Sequence, residues 1–552
     1  MAARTSRILL ALLTAAAAAL GLGLAAPLSP VVAAAPESGV VAPVPTISWH
    51  RCPDFGHVLC AEVPVPLDYD DPTGPTLTLD LLKQPALDAA GRLGTLFVNP
   101  GGPGGSARDF AAYGADLLGD TVALHYDVIG IDPRGVGPHS RMVCKTSQPA
   151  PAQRYLFPVT VRQSRSVWRD GRYFNRACKE SPSQVVAHMS TADTARDMDL
   201  VRQAIGEEQL NYYGVSYGTY LGAVYAAMFP DRVGRFVVDG VLDPVQWATG
   251  DATTSALPFT TRIDSAQGSH EALTSALAEC DRMGRRSCAL APRAGTKWQQ
   301  LVRRARADRL RYYGSTVTYQ DLVGGTLGLL YDNYDYTYLA LSLQDLYARN
   351  FAVGRPPRGR PVMSLAELRQ RARDVIRAPY TPTALARRIV NAADPFLGVS
   401  CADSRNPRGR PTWWDAGRSQ DRRSSWFGSL WTWTSAPCSG WLAAAHADAF
   451  TGPFEVTPAN PVLVVGNSHD PATPVSGARR LTTLLKGSRF LLMDGWGHAA
   501  LTNSCVTAAF DAYFASGALP PEGTVCPKDH PLYSGLEGSL RPFARWRPQA
   551  GG

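Results

Sequence analysis

The chain has 552 residues and a formal net charge of +8. This length exceeds what one hydrophobic core usually serves, so we expect two domains. The arginine-rich clusters at 303–311 and 355–361 lack interleaved aromatics or a nucleic-acid fold signature. They are typical of solvated surfaces, and a nucleic-acid partner is therefore not expected.

The N-terminal segment 1–35 has the layout of a cleaved secretory signal peptide. Arg4 and Arg7 precede an apolar run, and small residues follow it. The pattern predicts a secreted, extracellular protein without stable membrane association after cleavage, in which residues 36–50 form a linker or pro-segment. The alternative is an uncleaved anchor, because residues 8–26 nearly reach the ~20 residues that cross a bilayer.

Ten cysteines in an exported chain indicate disulfides, since the count is even and the cell exterior is oxidising. Neighbours in the sequence suggest five local bridges: Cys52–Cys60, Cys144–Cys178, Cys280–Cys288, Cys401–Cys438 and Cys505–Cys526. The chain has no C-x-x-C pair, which disfavours a thiolate zinc site. We expect neither a metal nor a cofactor.

Short apolar runs followed by turn residues recur along the chain. Residues 60–86 alternate between apolar and polar around a central turn, which predicts an antiparallel hairpin at a sheet edge. Six buried strands are predicted within 94–102, 126–135, 210–218, 233–244, 460–471 and 488–498. Helical patterns lie between most of them, such as the one that Ser190 or Thr191 would cap and Gly206 would end. Alternating strands and helices predict a mostly parallel, doubly wound α/β sheet covered on both faces.

The strand-helix rhythm stops after Pro244 and resumes near Pro461. The intervening residues are helix-prone and rich in arginine. We therefore predict an inserted, mainly helical lid domain at 245–455, between the two parts of the sheet domain, 51–244 and 456–552.

The run Gly214-Val215-Ser216-Tyr217-Gly218 fits G-x-S-x-G, a sharp strand-to-helix turn that exposes a nucleophilic serine. It follows a predicted strand and precedes an apolar helical pattern, as this motif requires. The alternative is an ordinary glycine-rich turn. We interpret Ser216 as the nucleophile.

A serine hydroxyl needs a base to remove its proton. His498 follows the last predicted strand within a glycine-rich loop, where an α/β-hydrolase places its catalytic histidine. His469 is the competing candidate, but it directly precedes the best candidate acid. We therefore predict His498 as the base.

The base must be held in the right tautomer by an acid. Asp470 closes a predicted strand, and the prolines after it fix the loop. The order Ser216, Asp470, His498 is that of α/β-hydrolases and differs from the chymotrypsin and subtilisin orders. Asp239 and Asp243, which end the preceding strand, are the alternative acids.

The loop at 99–106, "NPGGPGGS", directly follows a strand and exposes backbone N–H groups. Such groups stabilise the negative charge that develops on an attacked carbonyl. We predict an oxyanion hole formed by Gly101 or Gly102 together with Tyr217. The loop lacks the G-K-[ST] ending of a phosphate-binding P-loop.

With these motifs the sequence resembles the secreted tripeptidyl aminopeptidases, relatives of proline iminopeptidase within the α/β-hydrolases, including a TAP-like C-terminal region. The matching runs include "CAEVPVPLDY", "NPGGPGGS", "DVIGIDPRGVGPHS", "YYGVSYGTYLGAVYAAMFPDRV", "SCAD", "CSGW", "VLVVGNSHDPATPVSGA", "GWGHA" and "CVTAAFDAYFASGALPPEGTVC". The resemblance implies peptide substrates with a free N-terminus, from which Ser216 would release short peptides, tripeptides by analogy, through an acyl-enzyme. Asn99-Pro100 stands where the iminopeptidases have a histidine, which agrees with the tripeptide-releasing branch.

An exopeptidase needs an anion to hold the ammonium group of its substrate. Asp403, Asp332 and Asp335 are candidates, each with a plain structural carboxylate as the alternative. Two other functions stay open. The machinery would equally serve a carboxylesterase or lipase, because it attacks a carbonyl whatever the leaving group. A non-catalytic secreted binding protein on the same scaffold is the third interpretation.

Overall fold

The computed structural model describes residues 42–533, except 54–55, 57, 115–116, 147–150, 152–153, 182, 352–360, 377–389 and 393–394. The predicted signal peptide, part of the predicted linker and most of the cluster at 355–361 lie outside the described residues. The described residues form one compact unit. The division into domains at 245 and 455 therefore stays a prediction.

The described strands are β1 (His50–Arg51), β2 (Leu59–Pro66), β3 (Thr76–Gln84), β4 (Gly94–Asn99), β5 (Tyr126–Ile131), β6 (Cys144–Thr146), β7 (Leu210–Val215), β8 (Val233–Asp239), β9 (Arg311–Tyr312), β10 (Ser315–Thr316), β11 (Val390–Ala392), β12 (Val462–His469), β13 (Arg489–Trp496) and β14 (Val525–Pro527). Ten of them form the central sheet in the order β1-β2-β3-β5-β4-β7-β8-β12-β13-β14. The pairs from β1 to β5 are antiparallel, and every later pair is parallel. All six predicted strands are confirmed, and so is the mostly parallel sheet.

The predicted hairpin is β2 and β3, and it lies near one edge of the sheet. Val63 pairs with Leu79, and both are fully buried. Exposed residues alternate with buried ones along the middle of β2. Because β2 is buried on one face only, apolar and polar residues alternate along its sequence. The central strands are buried on both faces, and their sequences are continuous apolar runs.

The described helices are α1 (Ala107–Gly114), α2 (Asp120–His125), α3 (Val161–Lys179), α4 (Thr191–Ala204), α5 (Tyr217–Met228), α6 (Pro244–Ala248), α7 (Phe259–Arg262), α8 (Ser265–Met283), α9 (Ala294–Arg306), α10 (Tyr319–Leu330), α11 (Tyr336–Phe351), α12 (Leu365–Ile376), α13 (Pro395–Asp403), α14 (Arg410–Arg423), α15 (Gly428–Thr434), α16 (Val475–Leu484) and α17 (Ser504–Ser516). Helix α4 begins as predicted, because Ser190 Oγ accepts the N–H of Asp193 at 3.0 Å.

Successive residues of the central strands alternate between two apolar clusters. Tyr212 and Val464 belong to the cluster on one face of the sheet, and Tyr213 and Val465 to the cluster on the other. Both faces are therefore covered by helices, as in a doubly wound fold.

The segment between β8 and β12 carries α6 to α15. Much of it packs around a third apolar cluster, centred on large buried side chains such as Trp298, Tyr336 and Trp413. The same cluster includes Phe157 and Tyr533 from outside the segment, so this core is shared with the rest of the chain. This core could not be assigned from the sequence, because its aromatic residues are spread over more than a hundred positions.

All five predicted disulfides are present, and the described residues contain no free cysteine. Proteins exposed to an oxidising environment keep such bridges. Within the described part of the chain, no helix is both long and apolar enough to cross a membrane.

A buried ion pair fastens the hairpin to α4. Arg134 donates from Nε and Nη2 to the two carboxylate oxygens of Asp197, at 2.7 and 2.8 Å. The same guanidinium donates to the carbonyls of Pro66 and Leu67, each at 2.6 Å. Arg134 and Asp197 are both fully buried, so neither charge has water as an alternative partner.

Replacing one partner of this pair should destabilise the fold strongly. We expect Asp197→Ala to lower the free energy of unfolding by about 3–5 kcal/mol, because the guanidinium stays buried without its carboxylate. Urea denaturation with the disulfides intact measures this. The control is Glu455→Ala, which removes an exposed ion pair with Lys486 and should change little. Equal losses of unfolding free energy in the two variants would contradict the structural role of the Arg134–Asp197 pair.

Candidate active site

The turn that carries the candidate nucleophile Ser216, named here the nucleophile turn, joins β7 to α5. Ser216 has φ 57° and ψ −121°, a strained conformation for a residue with a side chain. A Cβ on Gly214 would lie 2.5 Å from the backbone oxygen of Gly218, so the turn can close only around glycine. The strand-to-helix context predicted for Ser216 is therefore confirmed, and its side chain is half-exposed.

His498 lies in the loop after β13, with its ring against Asp470. Its Nδ1 is 3.0 Å from each carboxylate oxygen of Asp470. Because this carboxylate accepts the Nδ1 proton, Nε2 is left as the basic nitrogen. The backbone N–H of His498 donates to the carbonyl of Tyr331 at 2.8 Å, and the Tyr331 ring packs edge-on against the imidazole.

Asp470 is fixed by the turn that follows β12. Its carboxylate accepts the N–H groups of Ala472 and Thr473, each at 2.8 Å, and the Thr473 hydroxyl at 2.9 Å. The N–H of Ala499 donates to it as well, at 3.2 Å. The carboxylate is 1% exposed, so these donors replace water and set its direction toward His498.

The protonation of His498 reflects two opposed effects. Burial alone would lower the pKa of His498, but the charge of Asp470 and its hydrogen bond outweigh burial and raise it above 6.5. Asp239 adds a smaller effect in the same upward direction. The surroundings of His498 therefore stabilise its protonated form relative to that of a free imidazole.

The serine turn and the histidine loop meet at the end of β8. The N–H of Ser216 donates to the carbonyl of Asp239 at 3.0 Å, and the N–H of Ala500 donates to the Asp239 carboxylate at 2.8 Å. A Cβ on Gly240 would lie 3.3 Å from Cε1 of His498. The structure thus gathers Ser216, Asp470 and His498 at one edge of the parallel sheet.

The loop at 99–106 packs on the nucleophile turn. A Cβ on Gly101 would lie 2.3 Å from the Val215 carbonyl and 2.9 Å from the Tyr217 nitrogen. The Gly101 N–H donates to Asn99 Oδ1 at 2.9 Å and is therefore already engaged. The N–H groups of Gly102 and Tyr217 have no hydrogen-bond acceptor among the described residues. This geometry favours Gly102 over Gly101 as the donor beside Tyr217.

The candidate amine-binding carboxylates occupy different environments. Asp403 is 1% exposed and accepts the backbone N–H and hydroxyl of Thr191, at 2.8 and 2.7 Å. Burial raises the pKa of Asp403 to about 7, although these hydrogen bonds lower it. Thr191 also contacts the Tyr217 hydroxyl, which links Asp403 to the nucleophile turn through buried side chains.

The other two candidates lie beside the histidine loop, in the short helix and turn after α10. Asp335 is paired with Arg371. Asp332 is exposed and caps the 3₁₀ helix Asn333–Asp335 through the N–H of Tyr334 at 2.9 Å. The carbonyl of Tyr331 accepts the backbone N–H of His498, so the exposed residue Asp332 follows directly after this contact in the chain.

His469, the alternative candidate for the base, and Asp243, an alternative candidate for the acid, make other contacts. His469 stacks on Trp496, with ring centroids 4.7 Å apart, and burial lowers its pKa. Asp243 caps α6 by accepting the N–H of Val245 at 2.9 Å. Neither touches the imidazole that Asp470 holds. The contacts of Tyr331 and Thr473 with His498 were not predicted, because no motif in the sequence marks them.

Among the described residues, one group of three side chains could offer ligands to a metal ion: Asp68, His188 and Asp448, with ligand atoms within 4.8 Å of one another. The group is half-exposed and lies on three loops. His188 and Asp448 lie 3.8 Å apart, the separation of an ion pair when the histidine is protonated. None of the three belongs to the arrangement around Ser216.

Comparison with known proteins agrees with this geometry. Residues 94–262 match the family described as alpha/beta hydrolase fold, and residues 424–526 match the family described as TAP-like protein. The chain is 30% identical over 503 residues to tripeptidyl aminopeptidase of Streptomyces coelicolor, covering 87% of this chain and 86% of that protein.

Two mycobacterial relatives extend the comparison. Carboxylesterase B of Mycobacterium tuberculosis is 33% identical over 540 residues, covering 92% of this chain and 95% of that protein. Serine protease Hip1 of the same species is 29% identical over 496 residues, covering 85% and 88%.

The fold, the site and these relatives together define a serine hydrolase with the α/β-hydrolase fold. Within that class, the chain belongs to the TAP-like α/β-hydrolase family, whose named members here include peptidases and an esterase. The α/β-hydrolase fold expected from the sequence is thereby confirmed.

The raised pKa of His498 has a measurable consequence. Only the neutral imidazole can accept the serine proton, so reactivity should fall as pH drops through the pKa of His498, with a midpoint above 6.5. The rate of inactivation by a phosphonofluoridate measures this, because the reagent has no ammonium group of its own. Ser216→Ala should not react. An inactivation rate that does not change between about pH 5 and 8 would contradict the prediction of His498 as the base.

Proposed function

We propose that the protein is a secreted serine exopeptidase that releases short peptides from free N-termini, tripeptides by analogy with its relative. The observation that carries the proposal is the contact of His498 Nδ1 with both oxygens of Asp470, on a loop tied to the Ser216 turn. This contact is the tautomer-fixing interaction that a serine nucleophile needs.

The reaction follows from the positions of these groups. Ser216 Oγ attacks the scissile carbonyl while His498 Nε2 takes the hydroxyl proton, and Asp470 stabilises the imidazolium that forms. The N–H groups of Gly102 and Tyr217 receive the oxyanion. His498 then gives its proton to the leaving amine. Water, deprotonated by the same imidazole, attacks the acyl-enzyme and releases the peptide acid.

Recognition of a free N-terminus requires an anion at a fixed distance from the nucleophile. Among the three candidates, Asp332 fits best, because it is exposed and adjoins the backbone contact between Tyr331 and His498. Asp403 has its oxygens engaged by Thr191, and Asp335 has Arg371 as its partner. The relative named tripeptidyl aminopeptidase supports a tripeptide as the released unit.

Secretion is part of the proposal. It is supported by the five disulfides and by the signal-like pattern of residues 1–35. Such bridges persist outside the reducing cytoplasm.

The second candidate function is that of a carboxylesterase. The observation that favours it is the 33% identity to carboxylesterase B over nearly the whole chain. The same nucleophile, base and oxyanion donors would cleave an ester, because they act on the carbonyl group whatever the leaving group is.

A substrate panel separates these functions. We expect turnover of a tripeptide p-nitroanilide with a free N-terminus and a loss of at least about tenfold in kcat/KM on N-acetylation, because the ammonium contact disappears. The single-residue anilide should be poorer than the tripeptide. Ser216→Ala is the control and should be inactive on all of them. Indifference to N-acetylation would exclude the aminopeptidase, and turnover of short-chain esters alone would establish the esterase.

A further inference from the structure

A second buried carboxylate lies beside the proposed catalytic residues. Asp239 is the last residue of β8 and is 0% exposed. Its backbone carbonyl accepts the N–H of Ser216 at 3.0 Å. Its carboxylate oxygens accept the N–H of Ala500 at 3.0 and 2.8 Å, and the hydroxyl of Tyr213 donates to one of them at 3.2 Å. One residue therefore holds both the serine turn and the histidine loop.

The histidine loop needs such support because its backbone is strained. Ala499, directly after His498, has φ 67°, a conformation that a residue with a side chain rarely adopts. The successive N–H groups of Ala499 and Ala500 point to two different carboxylates, those of Asp470 and Asp239. A carboxylate that accepts a backbone N–H forms a charge-assisted hydrogen bond, so each of the two carboxylates stabilises one residue of the strained turn.

Asp239 has no cationic lysine or arginine partner within the described part of the chain. The titratable groups that face it are Tyr213, His498 and Asp470. Burial raises the pKa of Asp239 to about 7, with backbone and Tyr213 hydrogen bonds acting in the opposite direction. A buried carboxyl without a counter-charge is costly, so its contacts with the loop, rather than an ion pair, account for its place in the fold.

We infer that Asp239 is a positioning residue, which fixes the His498 loop against the Ser216 turn without serving as the acid partner of the histidine. This inference rests on the proposed roles of Ser216 and His498. Asp470 remains the acid, because both its oxygens lie 3.0 Å from Nδ1 whereas the Asp239 oxygens are taken by Ala500 and Tyr213.

The test compares Asp239→Ala and Asp239→Asn with the control Asp243→Ala. Asp243 is a half-buried carboxyl at the other end of the segment 239–243, but it caps α6 and does not touch the histidine loop. Each variant is assayed for kcat and KM on the tripeptide anilide, for its inactivation rate with the phosphonofluoridate, and for its thermal unfolding midpoint.

Asp239→Ala should lower kcat and the inactivation rate by at least about tenfold, with KM within about twofold, because a displaced imidazole affects chemistry more than binding. Asp239→Asn keeps an oxygen for the Ala500 N–H and should return kcat to within about threefold of the parent. Asp243→Ala should stay within the same range. The inference would be overturned if Asp239→Ala left the inactivation rate unchanged. It would also be overturned if Asp243→Ala lowered kcat and the inactivation rate as much as Asp239→Ala does.

A second readout covers the case in which Asp239→Ala does not fold. Asp239→Asn removes the charge that Asp239 carries above its pKa of about 7, and this charge raises the pKa of His498, so the acid limb of the inactivation profile should move to lower pH. An unshifted limb would overturn the inference. Failure of the roles proposed for Ser216 and His498 is distinguishable, because the reagent would then not label Ser216 in the parent protein. Failure of the peptidase function alone would appear as a labelled parent protein that does not turn over the tripeptide anilide.

Discussion

The proposed site depends on the parallel order of β7, β8, β12 and β13. Parallel strands end at the same edge of a sheet, so Ser216, Asp239, Asp470 and the loop of His498 arrive there from four separate parts of the chain. In open α/β sheets, ligands bind at this carboxyl edge. The apolar clusters on both faces of the sheet hold the strands in register, and the register sets the distances between the side chains at the edge.

Backbone strain is concentrated at this edge. Ser216 and Ala499 both have positive φ angles, and Ala499 lies directly after His498. Each lies next to a hydrogen bond accepted by Asp239 or Asp470. Strained conformations persist only where the surrounding structure determines them, and they cluster where geometry matters for chemistry. Here the backbone carbonyl of Asp239 holds Ser216, and the carboxylate of Asp470 holds Ala499. The Asp239 carboxylate holds the next residue of the loop, Ala500.

Local signals in the sequence predicted much of this structure. The hairpin, the six strands, the Ser190 cap, the disulfide pairs and the glycine-bounded turn of Ser216 depend on neighbours in the chain, which a pattern can reveal. The choice between Gly101 and Gly102 could not be made, because it depends on the side chain of Asn99 folding back on the loop. The contact of Tyr331 with His498 joins the insertion to the sheet across more than 160 positions, and no local pattern records it. From the sequence, Asp239 was only an alternative acid. The positioning role inferred for it depends on its hydrogen bond with Ala500, which is 261 positions away in the chain.

The most direct measurement of the central claim is a crystal structure of the protein after reaction with a phosphonofluoridate. The account predicts phosphorus bonded to Ser216 Oγ, with the phosphoryl oxygen about 2.7–3.1 Å from the N–H groups of Gly102 and Tyr217. His498 Nε2 should lie within hydrogen-bonding distance of Ser216 Oγ while Nδ1 keeps its contact with Asp470. Phosphorus on another residue, or an imidazole out of reach of Ser216, would contradict it.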